Sequence, residues 1–155
     1  MTVDLLPLPL EEGGGEGQRR DGLNIVLDTN IVLDVFMFND ATAETIHQAF
    51  AANTLKWLAT LAMRDELARV LAYPKIMQRL SFHHLTLDAV LQKFDQHTQL
   101  VDAAPKASLT CKDADDQKFI DLAVQHHALL ISKDQHILSM QKRLLAHGAR
   151  AQATM

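Results

Sequence analysis

The chain predicts an α/β domain of three layers, α/β/α, built on a mainly parallel central sheet. Short, mainly apolar runs at Leu23–Leu27, 55–60 and 128–132 alternate with longer segments of helical spacing. Acidic residues also stand where strands give way to helices: Asp28 after LNIVL, Glu66 after LKWLAT, Asp116 within CKDADDQKF and Asp134 after ALLIS. Right-handed crossovers between parallel strands would carry these distant points to one sheet edge.

The order of elements follows from the same patterning. Residues 1–22 combine Pro7, Pro9, the Gly13-Gly14-Gly15 run and mixed charges, and are expected to form a mobile leader. The first strand is Leu23–Leu27, and residues 31–38 are apolar enough to begin a buried helix. A helix over 42–53 follows, with Ile46, Ala49 and Phe50 in phase; then a strand over 55–60 and a helix over 63–71 whose inner face carries Leu67, Val70 and Leu71. Pro74 is expected to stop that helix. Residues 81–100 read as one further helical arm with Leu87, Val90, Leu91 and Phe94 inward, and a short strand is expected near Leu100 and Val101. A helix over 115–127, a strand over 128–132 and a last helix over 135–146 complete a domain placed at 23–150, with 151–155 as a tail.

Composition sets bounds on function. At 155 residues, 48% hydrophobic and 22% charged, the chain suits a single domain with a sizeable core. A net charge of -4 counts against a broad basic surface, so a nucleic-acid partner would be met by a few local cations. No apolar run approaches the ~20 residues needed to cross a bilayer. The segment MTVDLLPLPLEEGGGEGQRR has no basic stretch ahead of an apolar core, so no secretory signal is expected and a cytoplasmic location follows. Cys111 is the lone cysteine and reads as core or loop filler, not as a nucleophile. Trp57, in a strand, reads as core. The adjacent pairs His83-His84 and His126-His127 diverge around a helix and have no cysteine partners, which argues against zinc.

Open parallel sheets place their sites beyond the carboxyl ends of strands, where Asp28 and Asp134 fall. Each could instead cap the following helix. Glu66 has no such role: it lies one turn before Val70 and beside Leu67, bordering the apolar stripe, whereas Asp65 has a more exposed phase. An uncompensated carboxylate there costs free energy. Among Asp113, Asp115 and Asp116, the phase of Phe119, Ile120 and Ala123 turns Asp116 toward the sheet edge and leaves Asp113 as the expected cap. Gathered carboxylates raise one another's pKa and call for a cation, Mg²⁺ or Mn²⁺ by preference for hard oxygen donors. Metal-dependent phosphate chemistry is the expectation.

The stretches NIVLDTNIVLD, RDELARVLAYPKI and DADDQKFIDLAVQHHALLISKDQHIL together resemble the PIN-domain family, in its branch of toxins from toxin–antitoxin pairs. The resemblance runs from about Leu23 to Leu145. It implies a small Mg²⁺- or Mn²⁺-dependent endoribonuclease held in check by a cognate antitoxin. It places the acidic quartet on Asp28, Glu66, Asp116 and Asp134, with Thr29, Asn30 and Ser132 as polar helpers. Asp28 and Asp116 would be central ligands, Glu66 and Asp134 supporting ligands or water positioners. Two departures stand out: His126-His127-Ala128 replaces the family's usual Gly-Ala-Asp, and the usual closing strand and helix shrink to HGARAQATM, the edge through which a homodimer could form. Lys133 could attract RNA phosphate or be a solvated loop charge, and Arg64, Arg69, Lys75 and Arg79 could form a basic rim. Two alternatives stay open: a catalytically silent module binding RNA or antitoxin, and a phosphatase of the haloacid dehalogenase type. The latter needs a second Asp where this chain has Asn30.

Overall fold

In the computed structural model, residues 23–38 and 41–155 are described; the expected leader lies outside them. Five strands, β1 (Leu23–Leu27), β2 (Leu55–Ala59), β3 (Thr98–Leu100), β4 (Leu129–Ile131) and β5 (Arg150–Gln152), form one sheet in the order β3-β2-β1-β4-β5. Every pairing is parallel, with Ile25 opposite both Trp57 and Leu129. The sheet is therefore wholly parallel, and the layered α/β architecture expected from the strand and helix alternation is the one observed.

The helices are α1 (Thr29–Leu33), running on into a π-helical turn at Asp34–Phe38, then α2 (Ala41–Ala51), α3 (Leu61–Leu71), α4 (Pro74–Phe82) and α5 (Leu87–His97). A 3₁₀ turn at Ala114–Asp116 leads into α6 (Gln117–His126), followed by α7 (Gln135–Leu138) and α8 (Gln141–Ala146). Trp57 is buried among Phe36, Phe50 and Phe94, with ring centroids 5.9, 5.7 and 5.2 Å away. This ties β2 to helices on one face and makes Trp57 core, as expected. Phe119, Ile120, Leu122 and Ala123 bury the inner face of α6 beneath β1 and β4. Cys111 is buried filler, its thiol pushed up by burial away from the reactive thiolate.

One expected stop is kept, and three boundaries differ, each for a local reason. α3 ends at Leu71 ahead of Pro74, as expected, and Pro74 also opens the unexpected α4, since a proline lacking N–H fits the first helical turn. The arm expected over 81–100 starts later and ends sooner, as α5 alone: His84 takes a left-handed conformation, φ 58°, after α4 ends at Phe82, and Thr86 caps α5 by accepting from the Ala89 amide at 3.1 Å. The last helix breaks at Met140, whose side chain is drawn into the core. Strand β5 crosses the boundary expected at 150, so Ala151 and Gln152 belong to the sheet and not to a tail. Only Ala151 of that strand is buried, too little for an apolar pattern to mark it.

Candidate metal centre

Strands β1 and β4 are neighbours, and the pairing of Leu27 with Ile131 sets Asp28 and Ser132 side by side at the carboxyl edge. Ser132, fully buried, donates from Oγ to Asp28 Oδ2 at 2.6 Å and accepts the Asp134 amide at 3.0 Å. One hydroxyl thus registers two acids 106 positions apart in the chain numbering, 134 against 28. Asp28 makes no side-chain cap to α1, so capping does not explain it. Asp134 does cap α7, accepting from the His136 amide at 2.8 Å, and also faces the cluster.

Asp116 ends the 3₁₀ turn and is buried without capping α6. The cap is Asp113, which accepts from the Asp115 amide at 3.0 Å, as the sequence pattern suggested. Carboxylate oxygens of Asp28, Asp116 and Asp134 lie within 4.8 Å of one another. Oδ2 of Asp116 is buried and has no hydrogen-bond partner among the described residues. Burial raises the Asp28 carboxyl above its usual range, opposed by the Ser132 hydrogen bond and reinforced by the charges of Asp134 and Glu66. Burial, then Asp134 beside it, and then Asp28 and Asp113, push Asp116 up to about 7. An orphaned hard oxygen inside a ring of three carboxylates fits a hard divalent cation, which would occupy the position that no donor of the protein fills.

Glu66 lines the same cavity of about 310 Å³ but is held differently. Thr29 Oγ1 donates to its Oε2, and Lys118 Nζ donates to its Oε1 at 2.5 Å. Thr29 is buried and Asn30 exposed; both line the cavity, as do Arg69 and Tyr73. Of the remaining expected helpers, Lys133 is committed to Asp34 at 3.0 Å and does not line this cavity. Arg64 is likewise withdrawn from the basic rim into a two-bond clasp with Asp95, at 2.8 and 2.9 Å. Sequence reasoning passed over Lys118. A signal was present: a cation in the first turn of a helix opposes the dipole and needs an anion nearby.

These features match the PIN domain family over residues 24–136, and the chain belongs to that family. Among solved structures, it is similar to a chain of VapBC2 from Rickettsia felis, determined bound to a DNA fragment from its promoter. The two share 15% identity at a TM-score of 0.58, over 84% of this chain and 98% of the other. At that identity the likeness is one of fold. No curated protein matches the sequence.

Proposed function

We propose that the protein is a metal-dependent endoribonuclease that hydrolyses RNA phosphodiester bonds, and that it is the toxin of a toxin–antitoxin pair. The observation that carries the catalytic reading is the Asp28, Asp116 and Asp134 ring with its unpartnered Asp116 Oδ2. These three residues would hold Mg²⁺ or Mn²⁺. Bound there, the ion would supply positive charge against the phosphodiester oxygens and acidify water at the site. Ser132 and Thr29 hold the carboxylates Asp28 and Glu66 in place through their hydroxyls. Glu66, on the cavity wall, orients water by accepting its hydrogen bond. Asn30 and Arg69 offer donors to phosphate oxygens from the same wall, the only role a chain of net charge -4 needs its few local cations to play.

The partner reading rests on the fold shared with a chain of VapBC2. A cognate antitoxin would bind this chain, and pairs of toxin chains would form homodimers. Cleavage of labelled RNA by the purified protein, with Mn²⁺ and then with chelator, tests the catalytic reading. Co-expression with the product of the adjacent small reading frame tests the partner. RNA bound but never cut under any divalent ion would replace the nuclease with a silent binding module.

A further inference from the structure

We infer that Lys118 is a positioning residue, a built-in cation that neutralises Glu66 and keeps it out of the ion's ligand set, so that the centre takes one divalent ion. This rests on the metal-centre reading above. The inference comes from the contrast between two carboxylates on one cavity wall. Asp116 Oδ2 is buried with no donor, whereas both oxygens of Glu66 already have one, Thr29 Oγ1 on Oε2 and Lys118 Nζ on Oε1. An oxygen without a donor is available to a metal; an oxygen bonded to an ammonium is a poor ligand, because binding would set two cations against each other. The acids whose oxygens converge within 4.8 Å are accordingly Asp28, Asp116 and Asp134, without Glu66.

The position of Lys118 is not what a solvated lysine would choose. It sits in the first turn of α6, where the helix dipole disfavours a cation, and it is reached by Glu66 from α3, 52 residues away. Its ammonium also donates to the Asp115 carbonyl at 2.5 Å and lies 4.9 Å from the Phe119 ring centroid. Three anchors, one each from α3, the 3₁₀ turn and α6, hold it on the cavity wall. With Glu66 neutralised, three carboxylates face the ion, and one divalent cation leaves the cluster with a single negative charge. A second ion placed at Glu66 would meet a carboxylate both of whose oxygens are already engaged.

Free Mn²⁺ followed by electron paramagnetic resonance during titration of the full chain tests this without reference to cleavage. The wild type should bind one Mn²⁺ per chain. Asp116→Asn should weaken it more than about tenfold, and Glu66→Gln less than about threefold. In a Lys118→Met background Glu66 becomes a ligand, so adding Glu66→Gln there should cost about tenfold, while Lys118→Arg should behave as wild type. Two ions on the wild type, a Glu66→Gln loss as large as that of Asp116→Asn, or the same Glu66→Gln effect in both backgrounds would overturn the inference while leaving the metal centre standing. Were Lys118→Met not to fold, Glu66→Gln in the wild-type chain still decides. A wild type that binds no Mn²⁺ would overturn both readings.

Discussion

Asp116 illustrates how one residue couples site to stability. Its folded pKa of about 7 lies above the ordinary 3.8, so between those values the folded state holds a proton that the unfolded chain has lost. Stability from this group is therefore present at low pH and falls as pH rises through that window. In chelator, the melting temperature of Asp116→Asn minus that of wild type should be small near pH 4.5 and should grow by several degrees toward pH 8. A flat difference across that range would mean that Asp116 is not strained by its neighbours. Asp28→Asn tests the chemistry instead: Mn²⁺-dependent RNA cleavage should fall by more than about a hundredfold, with circular dichroism unchanged, since the amide keeps the shape and removes the charge. Cleavage at the wild-type rate by folded Asp28→Asn would remove Asp28 from the site.

Among elements, the turn that closes α6 shows a local rule broken in company. His127 ends that helix in the left-handed region, φ 50°, where glycine is the usual occupant, and its imidazole packs against Gly148, φ 80°, at the turn into β5. A residue with a Cβ therefore bears strain at position 127. His127→Gly should stabilise the fold by up to about 1 kcal/mol, read as a shift of the urea midpoint at constant slope. A Cβ at position 148 would stand 2.6 Å from His127 Nδ1, so Gly148→Ala should cost more than about 1 kcal/mol. The same change in the His127→Gly background should cost less. Strict additivity of the two would show that the ring and the turn do not touch in solution.

At the scale of the molecule, three carboxylates drawn to one edge of a parallel sheet store repulsion that a cation would relieve. Mn²⁺ should raise the wild-type melting temperature, in line with about 2.7 kcal/mol at roughly 100 times the dissociation constant. Asp116→Asn should gain much less. Equal shifts for the two proteins would place the ion elsewhere. Among the described residues, no helix is long and apolar enough to cross a membrane.

Much of this protein was legible in its sequence because the informative signals are local. The runs LNIVL, LKWLA and LLI mark central strands, since the last three residues of each are apolar and buried, as a strand covered on both faces requires. The phase of Phe119, Ile120 and Ala123 placed Asp116 inward, and a strand-end acid on β1 and another after β4 had only one sheet edge to share. β5 escaped because a three-residue edge strand, Arg150–Gln152, buries one alanine and draws its definition from pairing with β4. The helix Pro74–Phe82 went unmarked and the arm that holds α5 was begun too early, at Ser81, because the break between the two rests on the left-handed backbone of His84, which its residue type does not announce. The separation of Glu66 from the other three acids, and the diversion of Arg64 and Lys133 to Asp95 and Asp34, were decided only by tertiary structure. Periodicity says which face a charge occupies; which opposite charge it meets there depends on elements dozens of residues away, as Lys118 and Glu66 show.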